Sequence, residues 1–253
     1  MKIVWLASYP KSGNTWLRFL LYAYLYGPIT CSADVESKIP AIHKDPDLDL
    51  SAPGNIIIKT HFKMSDGMPH LSKTAAFVYV LRDPRDVLLS HLNYVQLVGE
   101  QTTPEQYARR FIRYRGEPVW VERGFGTWPQ HVRSWLATPR FPRVLVRYEQ
   151  LKQDPHARFQ EVLRFLRIPI DPRRVDRAVE AASFENMKKL ETREKAQDAE
   201  HRLFPGSRHA MDEGVTFMNK GRSGQRLSHI NPELDDLFDS AFGQALERLG
   251  YAS

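Results

Sequence analysis

The stretch Lys2-Ile3-Val4-Trp5-Leu6-Ala7-Ser8-Tyr9-Pro10-Lys11-Ser12-Gly13-Asn14-Thr15-Trp16 runs from a short apolar segment through a polar turn into a segment rich in Leu, Tyr and Phe. Residues 3–7 read as a buried strand, Pro10 and Gly13 supply a turn, and Asn14 or Thr15 offers an N-cap for a helix over 15–26. That helix is apolar on nearly all sides, which predicts burial. The loop lies where a helix exposes free N–H groups and its positive dipole end, a setting that favours phosphate. Lys11 adds a point charge there, and Gly13 permits close approach of backbone. The GxxxxGK[ST] phosphate loop of nucleotide kinases is absent, since the loop has one glycine and the lysine precedes it.

Further short apolar runs predict strands at 56–59, 77–81 and 144–147. Asp83-Pro84 places an N-cap before proline at the first helical position, opening a helix to about 95. Helices are expected at 104–114, 127–136, 155–166, 172–182 and 232–249, the last with Leu234, Leu237, Phe238, Ala241, Phe242, Ala245 and Leu249 at helical spacing. Residues 31–54 read as an irregular or partly helical excursion, and 191–217, charged and then rich in Gly, Pro and His, as a mobile loop or lid. Buried strands separated by helices predict an α/β fold: a single domain over 1–253 with a central parallel β-sheet flanked by helices. Ligands of such sheets bind at the carboxyl ends of the strands, so the loops after Ala7, Ile58 and Leu81 should converge.

Among the 253 residues, 42% are hydrophobic and 26% charged, which fits a globular chain with a sizeable core. The net charge of +6 suits an anionic partner without naming one; much of the excess falls in solvated helices at 158–167 and 173–177. Cys31 is the single cysteine, so an internal disulfide is impossible and a reducing compartment is expected. The first residues lead straight into a strand without a signal-peptide pattern. The most apolar stretch, 17–25, is broken by Arg18 and is far short of the ~20 residues of a membrane span. A cytoplasmic protein without a membrane partner is expected.

Tyr9-Pro10-Lys11-Ser12-Gly13-Asn14-Thr15-Trp16 resembles the loop with which cytosolic-type sulfotransferases bind the 5′-phosphosulfate end of 3′-phosphoadenosine 5′-phosphosulfate (PAPS). Colinear matches follow. Ile58-Lys59-Thr60-His61 resembles the segment whose histidine is the family's catalytic base. Val80-Leu81-Arg82-Asp83-Pro84-Arg85-Asp86-Val87-Leu88-Leu89-Ser90 resembles the segment whose first arginine and final serine hold the 3′-phosphate. Arg147-Tyr148-Glu149 and Ser183-Phe184-Glu185-Asn186-Met187-Lys188-Lys189 resemble adenine-contacting segments, implying roles for Tyr148, Phe184 and Met187. Phe217-Met218-Asn219-Lys220-Gly221-Arg222 resembles the segment that closes over the 3′-phosphate, implying Lys220, Gly221 and Arg222 as ligands.

The resemblance implies a sulfotransferase with a P-loop-like strand-loop-helix, PAPS as co-substrate, no metal, and a small-molecule acceptor with a hydroxyl or amine. Lys11, Ser12, Gly13, Asn14, Thr15 and Trp16 would bind the nucleotide together with Arg82 and Ser90. The chain departs from the family where Asn219 replaces an arginine, Ala182 replaces a hydroxyl-bearing residue, and Gln225-Arg226 replaces Asp-Trp. No KxxxTVxxxE dimerisation motif is found, so a monomer or weak homodimer is expected.

The residue types suit the chemistry by themselves. Sulfuryl transfer needs a deprotonated nucleophile, a stabilised leaving phosphate and in-line placement. His61 has an ordinary pKa of ~6.5 and can take a proton near neutral pH. Lys11 can stabilise the departing phosphate and Lys59 the sulfuryl oxygens, a task a metal performs in phosphoryl transfer. Arg82 offers a planar bidentate fork, or a salt bridge with Asp86 or Glu149. Tyr22, Tyr94, Tyr107, Trp120, Phe125 and Trp128 could line an acceptor pocket or pack in the core. Two rivals remain: a P-loop-type nucleotide or small-molecule kinase, which needs magnesium and ATP, and a nonenzymatic nucleotide or nucleic-acid binder, whose affinity falls steeply with salt. No nucleic-acid partner is expected of the enzyme.

Overall fold

Four parallel strands form one sheet in the order β2-β1-β3-β4, with β1 at Lys2–Ser8, β2 at Asn55–Thr60, β3 at Thr74–Leu81 and β4 at Arg143–Arg147. The structure is a computed structural model describing residues 1–197, 203–206, 214–219 and 221–251. Helices α1 (Asn14–Tyr26), α2 (Ser32–Lys38), α3 (Pro84–Leu97), α4 (Pro104–Tyr114), α5 (Pro118–Glu122), α6 (Trp128–Leu136), α7 (Tyr148–Gln153), α8 (Pro155–Phe165), α9 (Pro172–Ala181), α10 (Phe184–Ala196) and α11 (Glu233–Arg248) surround it. The chain is thus a single α/β domain with a central parallel sheet.

Alternation along the strands divides the core in two, because successive side chains point to opposite faces. Ile3, Trp5, Phe77 and Tyr79 pack with α3, α4, α6 and α11 residues such as Val87, Phe111, Trp135 and Phe242. Leu6, Val78, Val80 and Val146 pack with Leu17, Phe159 and Ala178 of α1, α8 and α9. The all-apolar surface of α1 is explained by that position: Leu17, Phe19, Leu20 and Leu21 are fully buried.

Register places the site. Ala7 pairs with Thr60, Ser8 with Val80, and Leu81 with Arg147. The four carboxyl ends therefore share one edge, and the residues that follow them, Tyr9, His61, Arg82 and Tyr148, leave the sheet together.

Several details differ from the sequence expectation. Helix α1 is capped by neither Asn14 nor Thr15; Gly13, at φ 96°, is the N-cap residue. Asn14 turns its amide back onto the Leu6 carbonyl at 2.9 Å and Ser8 Oγ at 3.2 Å. The close approach that Gly13 permits is to the Tyr148 ring, since a Cβ there would lie 2.5 Å from Cδ2. Helix α5 has five residues and α7 six, too short for a hydrophobic period to show. Of segment 191–217, the part Glu191 to Ala196 belongs to α10, with Glu191, Glu194 and Lys195 buried, an inversion of the pattern expected of a solvated charged stretch. Residues 198–202 and 207–213 lie outside the described residues. Among the described residues, no helix is long and apolar enough to cross a membrane.

Candidate functional site

A cavity of about 590 Å³ opens at the carboxyl edge of the sheet. Its wall includes Lys11, Gly13, Asn14, Thr15, Trp16, Lys59, His61, Arg82, Ser90, Tyr148, Phe184, Met187, Gly221 and Arg222, so residues spread over most of the chain meet at one place. Ser12 lies just behind this wall, buried, with an Oγ that has no partner among the described residues. Lys220 lies outside the described residues.

His61 follows β2 directly and is buried. Its Nδ1 sits 2.8 Å from the Ser8 carbonyl, which only accepts, so Nδ1 carries the proton and donates it. The Nε2 lone pair is then free, as a base requires. Burial, followed by the charges of Lys59 and His43, drives the imidazole pKa well below 6.5, keeping the ring neutral. Behind it, His131 donates from Nε2 to the His61 carbonyl at 3.1 Å and accepts from the Tyr79 hydroxyl at 2.8 Å on Nδ1. This chain of hydrogen bonds fixes the backbone that carries the base.

Lys11 and Lys59 are the electrostatic core. Burial pushes both ammonium pKa values down to about 7, with Arg82 the next cause for Lys11 and Arg18 for Lys59. Neither ammonium has a carboxylate or hydrogen-bond partner among the described residues; Lys11 Nζ instead faces the Phe217 ring at 4.1 Å and the Tyr94 ring at 5.0 Å. Lys11 also has φ 66°, a left-handed conformation that an L side chain rarely adopts and that concentrates at functional sites. Partly desolvated cations without an ion-pair partner carry a cost that an arriving anion relieves.

Arg82 makes neither of the salt bridges considered as the alternative to a phosphate-binding role. Its terminal nitrogens donate to the Lys11 carbonyl at 3.0 Å and the Arg222 carbonyl at 2.8 Å, and the guanidinium lies 4.1 Å from the Tyr148 ring centre. Asp86 instead accepts from Gly224 and Gln225, and Glu149 from the Asp83 amide and the Tyr251 hydroxyl. Arg82 thereby ties the loop after β1 to the segment around Arg222. Its Nε, like Asn14 Oδ1, is buried without a partner among the described residues, so polar capacity remains for a ligand.

The segment at 216–218 is held across the cavity by α3 and α10. Asn93 Nδ2 donates to the Thr216 carbonyl at 2.8 Å, and the Glu191 carboxylate accepts from Phe217 N and Met218 N at 2.7 and 2.8 Å. Trp16 meets Tyr148 edge to face at 5.8 Å, and Phe184, 37% exposed, stands beside Gly221, where a Cβ would come within 2.9 Å of its ring. Together these rings form an aromatic recess next to the cationic loop.

Of the aromatic residues considered for an acceptor pocket, Tyr94, Trp120 and Phe125 line the cavity. Tyr22, Tyr107 and Trp128 are buried in packing. Sequence reasoning missed Arg18, Glu36, His43 and Glu191. The first three line the cavity; Arg18 donates to the Ile39 carbonyl and pairs with Glu36 at 3.4 Å. A signal was present: an arginine inside an otherwise apolar helix must have a buried polar task. Among the described residues, no grouping of His, Cys, Asp and Glu is placed to hold a metal.

Comparison with known proteins gives the same direction. The family model described as a sulfotransferase domain matches residues 2–250. Human sulfotransferase 1C2 is 25% identical over 263 residues, covering 96% of this chain and 82% of that protein. Human sulfotransferase 1E1 is 27% identical over 263 residues, covering 96% and 83%. In fold, the chain is similar to mouse sulfotransferase SULT7A1 complexed with PAP, with TM-score 0.70, 21% identity and coverage of 97% and 84%. It is similar also to retinol dehydratase in a complex with retinol and PAP, with TM-score 0.70, 18% identity and coverage of 98% and 82%.

Proposed function

Since the chain belongs to the sulfotransferase domain family and is a PAPS-dependent sulfotransferase, we propose that His61 is its general base, that Lys11 and Lys59 stabilise the charge being moved, and that the acceptor is a small molecule with a hydroxyl or amine. The kinase and the nonenzymatic binder are not favoured. The observation that carries the assignment is the pair of half-buried ammonium groups without an ion-pair partner among the described residues, beside a neutral imidazole whose proton is committed to the Ser8 carbonyl.

The nucleotide fits these residues. A co-substrate with phosphate at both ends matches a cavity whose orphaned polar atoms and cations sit at the loop after β1 and around Arg82. Ser90, Gly221, Arg222 and Lys220 would complete the 3′-phosphate site, while Trp16, Tyr148, Phe184 and Met187 would enclose the adenine.

In the reaction, Nε2 of His61 takes the proton of the acceptor hydroxyl as that oxygen attacks sulfur. The bond between sulfur and the bridging oxygen breaks, and its electron pair stays on 3′-phosphoadenosine 5′-phosphate (PAP), where Lys11 meets the developing charge. Lys59 faces the sulfuryl oxygens during transfer. Cations already oriented on the scaffold act strongly because no reorganisation is needed. We place the reaction in the cytoplasm, in keeping with the single cysteine, Cys31, and propose a monomer or weak homodimer.

The test is incubation with PAPS and a panel of phenols, alcohols and amines, following release of PAP. Turnover of at least one acceptor, lost in His61→Ala, is expected. Full turnover by His61→Ala would remove the base assignment.

A further inference from the structure

Charge is unevenly shared between the two ends of the cavity. At the end where Arg82 bonds the Lys11 and Arg222 carbonyls, the wall also holds the carboxylate of Asp86. Beyond His61 it carries Arg18, Lys44, Lys59 and Arg123 against one carboxylate among the described residues, Glu36. Their place on that side follows from the chain. Lys59 precedes the base by two residues, and Lys44 comes directly after His43, whose ring stacks on His61 with centres 5.5 Å apart. Arg123 comes two residues before Phe125, whose ring stands 5.9 Å from that of His61. Lys63 N donates to the Gly124 carbonyl at 3.3 Å, so the loop that carries Arg123 is fastened to the chain just after the base.

Glu36 does not balance this end. One of its oxygens accepts from Ala41 N at 2.9 Å, and the other is shared between Lys44 Nζ at 3.0 Å and Arg18 at 3.4 Å. The surplus is felt by the neighbours: after burial, Lys59 and Lys44 are the next causes holding the His43 pKa down to about 3, and Arg18 is the next cause lowering Lys59. Of the four cations, Arg123 is the one both exposed and unpaired. Its backbone N donates to the Val119 carbonyl at 3.1 Å, while its guanidinium has no hydrogen bond or ion pair among the described residues. Glu122 beside it is not part of the wall. An acceptor bound here lies next to a nucleotide with several negative charges, which repels a second anion; cations beyond those facing the nucleotide make such a pair possible.

Resting on the sulfotransferase reading above, we propose that the acceptor is itself an acid: a small molecule whose hydroxyl meets His61 while an anionic group elsewhere on it is received by Arg123, with Lys44 adding to the field. The planar fork of a guanidinium suits a carboxylate or phosphate. Trp120 and Phe125 supply apolar wall for the body of the molecule. The substrate class is therefore a hydroxylated acid, set apart from neutral and cationic acceptors of the same shape by charge.

The experiment compares, as acceptors with PAPS, 4-hydroxyphenylacetate and the longer 4-hydroxyphenylpropionate, the neutral amide of each, and the cationic tyramine. Wild-type enzyme is expected to favour at least one acid over its own amide by about tenfold in kcat/KM, the low end of what a hydrogen bond to a charged group is worth, with tyramine the poorest. Added salt should shrink that ratio, because it screens exposed charges. Arg123→Gln brings the ratio near one, and Arg123→Glu reverses it in favour of tyramine, with PAP affinity kept in both; a merely structural arginine would lower all acceptors together. A wild-type ratio near one for both chain lengths, or an Arg123→Glu enzyme that still prefers the acid, overturns the proposal. If none of the compounds is sulfated, the phenol-type acceptor of the reading above fails by itself. Calorimetry of the same compounds with PAP-loaded enzyme then decides: tighter binding of an acid than of its amide upholds the role of Arg123, and equal binding overturns it.

Discussion

Two kinds of desolvated lysine stand in this molecule, one buried in the core and one half-buried at the cavity, and they do opposite things. Lys195, on α10, is fully buried with its ammonium 2.6 Å from Glu191, itself fully buried and also accepting from Phe217 N and Met218 N. Its charge is neutralised and its surroundings are satisfied. Lys11 and Lys59 are only partly buried, have no carboxylate within ion-pair distance among the described residues, and desolvation lowers both to about 7. The difference teaches where to look for a ligand. A paired charge in the core belongs to architecture, while an unpaired one marks the place where an anion is received.

The comparison can be broken or sharpened by substitution. The largest expected effect falls on the group between the two bare cations: His61→Ala should lower kcat by about 10²- to 10⁴-fold, the usual worth of a general base, with PAP affinity nearly unchanged. Next, Lys195→Met leaves Glu191 buried without its cation. It should cost about 3–5 kcal/mol of stability in chemical denaturation, a loss absent from Lys11→Met. In turn, Lys11→Met should weaken PAP binding by about 10- to 100-fold, since a hydrogen bond to a charged group is worth about 1.5–3 kcal/mol, while the unliganded protein stays as stable or gains. If Lys11→Met destabilised the unliganded fold as much as Lys195→Met, the distinction would collapse. The smallest effect is expected at Gly13→Ala. A left-handed φ of 96° and a Cβ 2.5 Å from the Tyr148 ring should lower the melting temperature by an amount matching about 1–2 kcal/mol and weaken PAP binding with it.

The pH dependence of the two bare lysines carries a definite sign. Their folded pKa of about 7 lies below the ordinary lysine value of 10.5. Between pH 7 and 10.5 the unfolded chain therefore holds more protons, and the stability of the free protein should rise with pH through that window. Below pH 7 both states are protonated and the burial penalty is fully present. Nucleotide affinity runs the other way, because the bound anion needs the charged form. Thermal melts from pH 7 to 9, with and without PAP, should converge as pH rises.

The central sheet and the loop after β1 were legible because they follow local rules: apolar runs of strand length, Asp83-Pro84 at a helix start, and turn residues before α1. The convergence of Lys11, Lys59, His61 and Arg82 followed from the parallel topology, since strand ends share an edge. What stayed hidden depends on tertiary pairing. The charges of Glu191, Glu194 and Lys195 looked like a solvated or mobile stretch, and only Ser32, the 217–218 backbone and one another make their burial tolerable. Arg82 looked like a bidentate phosphate ligand or an ion pair, yet its terminal nitrogens hold two carbonyls. His43 gave no local signal at all. Its place beside His61 is created by the Ala41–Lys59 bridge, a contact that no spacing in the sequence encodes.

The account rests on an anion being received by ammonium groups that are largely neutral above pH 7. Calorimetric titration of the enzyme with PAP at pH 8, in buffers of different ionisation enthalpy, measures this directly. Binding should take up about one to two protons, and the Lys11→Met, Lys59→Met double variant should take up none. Tight binding of PAP with no proton uptake by the wild-type protein would contradict the account.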